Sequence, residues 1–185
     1  MDAAGKLYGA TPSGGAHDFG VVYQLTPQSN GTWTEKIIYA FTATDGLNGP
    51  YGGLVLDKAG NLYSTCTFCI FELVPGSNGT WTQKIVHIFA GCPDGAYPGA
   101  VILDRAGNLY GMTYTGGVHR GTVFWFSPSS NGTWKEAILH RFQPDGVDGV
   151  FPQSARLAID ARGNLYGTTP SGGTSAQGVV FEITH

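Results

Sequence analysis

Three aspartates precede glycine at equivalent places in successive stretches of this 185-residue chain: Asp45, Asp94 and Asp148, with Asp145-Gly146 as an extra copy. Carboxylates recurring in this way can hold a cation near a common axis or serve as acid–base pairs. Asp-Gly is equally a common turn pair, and one aspartate per repeat need not face inward. His17-Asp18 and His119-Arg120 share a Gly-Gly-x-His context, where the last repeat has Gly-Gly-Thr-Ser175 instead. Two loop histidines at matching positions are either bases or ligands, or simply solvated. Tyr51, Tyr97 and Phe151 flank Pro50, Pro98 and Pro152. Such aromatics around a shallow funnel either stack on sugar rings or cap a core, and with Arg120 they form the candidate ligand-binding set. Asp45, Asp94, Asp148, His17 and His119 are the catalytic candidates. No cofactor and no dedicated metal site is expected, apart from a divalent cation at the axis as an option. His87 and His140 stand where the first repeat has Tyr39, which reads as packing.

Cys66, Cys69 and Cys92 are too few for a disulfide scaffold. The lone Cys-x-x-Cys has no second pair to complete a zinc site, and it lacks the strand-to-helix setting of a thioredoxin motif. A local disulfide, if the protein is exported, and buried thiols are both open. No Gly-x-Ser-x-Gly elbow and no phosphate loop occur, and Ser13-Gly-Gly and Ser171-Gly-Gly read as turns.

The elements that must position these residues are set by an internal repeat. Asp57-Lys-Ala-Gly-Asn-Leu-Tyr63 returns as Asp104-Arg-Ala-Gly-Asn-Leu-Tyr110 and Asp160-Ala-Arg-Gly-Asn-Leu-Tyr166, and the chain opens with Asp2-Ala-Ala-Gly-Lys-Leu-Tyr8. Ser-Asn-Gly-Thr-Trp occurs three times, ending at Trp33, Trp81 and Trp134. A period of about 50 residues with these turn signals matches one propeller blade, since solenoid repeats are mostly shorter or helical. Each unit divides into four apolar runs, A to D. A is exemplified by 53–57, 100–104 and 156–160; Asp-x-x-Gly-Asn turns it into B. C is exemplified by 20–25, 69–73, 121–126 and 178–183; Asn-Gly turns it into the alternating, half-exposed strand D. The sequons at Asn30, Asn78 and Asn131 coincide with that hairpin and read as turns.

Composition agrees. Charged residues are scarce at 12%, glycines number 29, and the net charge is −3. Short strands and tight turns follow, and a nucleic-acid partner is disfavoured for want of a basic face. No apolar run reaches the roughly 20 residues of a bilayer span, and the segment from Met1 to Gly5 carries no signal-peptide pattern.

Leu-Tyr-Gly-Thr-Thr-Pro-Ser-Gly-Gly (165–173), Gly-Val-Val-Phe-Glu-Ile-Thr (178–184) and Asp-Gly-x-x-Pro (94–98 and 148–152) resemble the Gloeo/Verruco tandem repeat of bacterial proteins, over essentially the whole chain. The resemblance implies an extracellular, periplasmic or cell-surface address and no particular activity; the blade pattern is also similar to the NHL type. The expected fold is therefore an all-β propeller of three and a half to four blades, one domain over 1–185, with units at 1–41, 42–89, 90–142 and 143–185. The strand inventory is B-C-D, A-B-C-D, A-B-C-D, A-B-C, which leaves open edges and predicts a homodimer completing the ring, unless the chain is part of a longer propeller. The variable B–C and D–A loops share one face. Two functions are compatible with that: a binding module for a carbohydrate or protein ligand, or a glycosidase- or lactonase-like hydrolase with an Asp/His site in the funnel.

Overall fold

The computed structural model describes residues 1–45, 49–117, 120–152 and 156–184. The fourteen expected runs all form strands. In the first unit β1 (Leu7–Thr11), β2 (Val21–Pro27) and β3 (Trp33–Ala40) pair in that order, followed by a 3-10 turn over Ala43–Asp45. The second unit is the complete A-B-C-D sheet of β4 (Val55–Leu56), β5 (Leu62–Thr65), β6 (Cys69–Pro75) and β7 (Trp81–Ile88). The third contains β8 (Ala96–Pro98), β9 (Ile102–Leu103), β10 (Leu109–Thr115), β11 (Thr122–Pro128) and β12 (Trp134–Arg141). In the fourth, β14 (Ala158–Ile159), β15 (Leu165–Thr169) and β17 (Val179–Ile183) form one sheet, and β13 (Gly149–Val150) pairs with β16 (Ser171–Gly172). The A strands shrink to two paired residues each. β8, β13 and β16 lie in segments that the sequence reads as loops; β8 extends the third sheet by pairing with the far end of β10.

The invariant hairpin residues are consumed in holding the hairpin. The Asp57 Oδ1 accepts the amides of Ala59 and Asn61, both at 2.8 Å, and Oδ2 accepts the Asn61 side chain at 2.9 Å. Asp104 and Asp160 repeat this pattern. The tyrosine two residues on closes the set from the next strand, as Tyr63 does at 3.3 Å and Tyr110 at 3.2 Å. Burial opposes ionisation of Asp104, but the hydrogen bonds from Asn108, Ala106 and Tyr110 outweigh it and hold its pKa below the usual carboxylate value. The glycine of Leu-Tyr-Gly has a packing role. A Cβ at Gly9, Gly111 or Gly167 would collide with the cross-strand ring of Tyr23, Phe124 or Phe181. The far end of each ring fills the space a side chain would take at the glycine.

Consecutive sheets pack face to face through three apolar clusters. Val22 and Phe41 meet Leu62, Phe71 and Leu73 between the first and second units. Ile70 and Phe89 meet Val101, Leu109, Phe124 and Phe126 between the second and third. Val123 and Phe142 meet Leu157 and Leu165 between the third and fourth. The pattern is the same each time: the second residue of strand C on one unit inserts against the strand B leucine of the next. A tyrosine–tryptophan edge contact accompanies two junctions, Tyr8 on Trp81 at 6.4 Å and Tyr63 on Trp134 at 5.9 Å. Each buried phenylalanine of these clusters is worth about 1.5–3 kcal/mol relative to exposure, so each junction contributes substantially to stability.

Strand D departs from simple alternation. The C–D register shifts between Val22 and Tyr23, between Ile70 and Phe71, and between Val123 and Phe124, the same position in each unit. This repeated β-bulge re-aims the residues beyond it. Tyr39, His87 and His140, opposite Val22, Ile70 and Val123, therefore point to the unit junctions and to the D–A loop aspartates.

Candidate functional site

The three D–A aspartates are pinned by their own strands. Asp45 Oδ2 accepts the Thr42 amide at 2.6 Å and the Thr42 hydroxyl at 2.9 Å, and Oδ1 accepts the Tyr39 hydroxyl at 3.0 Å. Asp94 Oδ2 accepts the Ala90 amide at 3.2 Å and lies 3.1 Å from His87 Nε2, while Oδ1 accepts the Gly95 amide at 3.0 Å. Asp148 Oδ2 accepts the Gln143 amide at 2.9 Å and lies 2.8 Å from His140 Nε2, while Oδ1 accepts the Gly149 amide at 2.8 Å. Each carboxylate closes a loop and meets a strand D side chain. Asp45, Asp94 and Asp148 are not gathered around one point: among the described residues, the three-membered group able to share a cation is His87, Asp94 and Glu136. His87 and His140 thus do more than pack, since each is hydrogen-bonded to an aspartate. Asp145 caps a turn, accepting the amides of Val147 and Asp148 at 2.9 and 2.8 Å. His17 is exposed on the first B–C loop, and His119 lies outside the described residues.

The aromatic candidates are brought together. Tyr51 and Tyr97, 68% and 49% exposed, line a cavity of about 460 Å³ between the second and third units, with Thr67, Cys66, Tyr114 and Pro152. Tyr97 leans on Phe68 with ring centres 5.1 Å apart, and its amide donates to the Thr67 carbonyl at 3.1 Å. One unit on, Phe151 leans on Tyr114 at 5.2 Å, its amide donates to the Arg120 carbonyl at 2.8 Å, and the Arg120 guanidinium sits 5.0 Å above its ring. D–A loop aromatics are therefore fastened to the preceding B–C loop in two successive units. Both are held at positive φ, 55° for Tyr97 and 53° for Phe151. Bulky residues rarely adopt that conformation, at a cost on the order of 1 kcal/mol each. Tyr51 follows its proline instead of preceding it, keeps an ordinary φ, and donates its amide to Thr65.

The lining of this cavity includes one hydroxyl-bearing residue that sequence reading missed, Thr67, and a second, Thr65, lies behind Gly52. Thr65 Oγ1 and Thr67 Oγ1 are buried without a hydrogen-bond partner. Gly52, in the lining, leaves room for the first, because a Cβ there would collide with Thr65 Oγ1. Cys66, in the same lining, is disulfide-bonded to Cys69, fixing the shortened second B–C loop. Cys92 is an exposed thiol that donates to the Gly117 carbonyl at 3.3 Å. On the hairpins of the repeat, a wider cleft of about 620 Å³ runs past Asp104, Asp160 and Trp125, but its aspartates are already occupied by hairpin donors.

A model of the Gloeobacter/Verrucomicrobia repeat matches residues 2–185. No curated protein matches the chain. Among solved structures, one described as luciferin-regenerating enzyme, a β-propeller, aligns over 100% of this chain at a TM-score of 0.57 and 17% identity. The chain spans 59% of the length of that structure, and at this identity the likeness carries the fold alone. Among the described residues no helix is long and apolar enough to cross a membrane.

Proposed function

The chain belongs to the Gloeobacter/Verrucomicrobia repeat family, and from that premise we propose that it is a carbohydrate-binding propeller module whose ligand lies in the cavity between Tyr51 and Tyr97. One observation carries the reading. Exposed aromatic rings border a cavity whose lining includes Thr67, a residue with an unpartnered hydroxyl. A pyranose has an apolar face and a hydroxylated rim, so rings take the face and polar lining groups take the rim. Burying an unpaired hydroxyl costs about 1–3 kcal/mol, which a ligand hydroxyl recovers. The Phe151–Tyr114–Arg120 group one unit on is a second, weaker contact for a longer glycan. Among the described residues the lining carries no carboxylate or imidazole, so a hydrolytic site has no acid–base pair to use there.

Export to an oxidising compartment agrees with the Cys66–Cys69 disulfide. The outer units support pairing of two copies. Val180 is 80% exposed although its equivalents Val22, Ile70 and Val123 are fully buried, and Leu7 is 38% exposed although Leu62, Leu109 and Leu165 are buried. These two surfaces are the two sides of every internal junction. The trailing face of one copy docks on the leading face of another, with Tyr166 reaching Trp33, itself 48% exposed.

A glycan array followed by calorimetry on the best ligand tests the binding site. Tyr51→Ala with Tyr97→Ala is expected to remove binding while the fold persists. Unchanged affinity in that variant, or hydrolysis of the ligand by the native chain, overturns the proposal.

A further inference from the structure

The junction between the second and third units carries a donor set that its neighbour lacks. His87 of β7, Asp94 of the following loop and Glu136 of β12 place their ligand atoms within 4.8 Å of one another. His87 Nε2 is 3.1 Å from Asp94 Oδ2 and 3.9 Å from Glu136 Oε2. The imidazole is held at its edges and faces by Phe89 and Phe126, with ring centres 4.7 and 4.8 Å away. Glu136 Oε1 is buried and has no hydrogen-bond partner.

The preceding junction provides an internal comparison. There the same three positions are Tyr39, Asp45 and Gln83, and the Tyr39 hydroxyl lies 3.0 Å from Asp45 Oδ1 and 3.3 Å from Gln83 Oε1. That set is closed by hydrogen bonds. Replacing tyrosine by histidine and glutamine by glutamate, at positions the repeat otherwise treats alike, turns a closed group with one carboxylate into one nitrogen and two carboxylate donors. The repeated bulge in strand D aims both versions at the junction.

We propose that His87, Asp94 and Glu136 form a site for a divalent transition-metal cation, zinc being the best match, that ties the second unit to the third. A neutral imidazole and two carboxylates balance a 2+ charge, and mixed N/O donors are favoured by zinc over magnesium or calcium. Bonds of about 2.0–2.1 Å in a tetrahedral site set donor atoms roughly 3.3 Å apart, near the separations found here.

The test compares the native chain with the double variant His87→Tyr, Glu136→Gln, which installs the residues that already pack at the first junction and so is built to fold. Titrating zinc chloride by calorimetry is expected to show one strong site in the native chain, with a rise in Tm. In the double variant that site weakens at least tenfold and the Tm rise is lost. Cobalt(II) is expected to give tetrahedral d–d absorption in the native chain only. His140→Tyr leaves zinc binding unchanged. Equal zinc affinity in native and double-variant chains, no Tm shift in the native chain, or loss of the site in His140→Tyr would each overturn the assignment.

Discussion

Replacing Val180 by aspartate is expected to prevent two copies from associating, and its size follows from the internal junctions. Val22, Ile70 and Val123, at the same place in strand C, are fully buried by the following unit, whereas Val180 keeps 80% of its surface in water. Full burial of a valine is worth about 1.5–3 kcal/mol, so docking another copy's leading face recovers about 1.2–2.4 kcal/mol per contact. With 1.4 kcal/mol per factor of ten, loss of that contact weakens each junction roughly 7- to 50-fold. Aspartate adds the cost of burying a charge without a partner at the proposed contact. Sedimentation velocity from low to high micromolar concentration reads the outcome. The native chain is expected to populate a species of twice the 19.5 kDa chain mass, and Val180→Asp to remain monomeric with an unchanged circular dichroism spectrum. A native chain that stays monomeric throughout, or a variant that associates equally well, refutes the docking argument.

Tyr97→Ala alone removes one stacking face of roughly 50 Å², about 1.3 kcal/mol and close to a tenfold loss of glycan affinity by calorimetry. Reducing the Cys66–Cys69 disulfide, which spans three positions, is expected to cost about 2 kcal/mol by the loop-entropy relation and to loosen the cavity lining at Thr67, read as a lower Tm and weaker glycan binding in reductant. The alkaline limb of stability follows from the junction tyrosines. Burial and the Asp45 hydrogen bond push Tyr39 up to about 12, and burial and Asp2 do the same for Tyr8. The folded state then holds protons that the unfolded chain releases near 10, so stability falls as pH rises from about 10 through 12. Tyr39→Phe is expected to flatten that fall in a pH series of urea melts. At the acid end Asp104 is held low in the folded state, so its contribution is present above the ordinary carboxylate value and disappears as pH drops through the folded one.

How much of this was legible in the sequence varies with the physics. The strand order was readable because each hairpin is written in local chemistry. Asp57, Asn61 and Tyr63 hydrogen-bond within seven residues of one another, so their recurrence marks the same turn wherever it appears. The A strands were overestimated because an apolar run signals burial, while ladder length depends on the partner strand; Gly53 and Leu54 are apolar or small without being paired. β8 and β13 were missed because both sit in Asp-Gly-x-x-Pro stretches whose composition reads as loop, and the pairing that makes them strands comes from the distant ends of β10 and from β16.

The link between the loop aspartates and the strand D histidines was not legible in the sequence, for a connected reason. Reading Asp94 and His87 separately gives a turn former and a packing residue, and both descriptions are true as far as they go. What joins them is the bulge beyond Ile70, one skipped residue in strand D that no composition or alternation pattern reveals. Past that point the alternation changes phase, so the side chain opposite Ile70 turns towards the loop that follows it and the next unit's Glu136. The repeat makes this consequence visible with different side-chain sets: tyrosine and aspartate with glutamine at one junction, and histidine and aspartate with glutamate at the next. A backbone irregularity shared by every unit is thus the device through which otherwise equivalent junctions come to differ, because it fixes where the side chain goes and leaves its chemistry free to change.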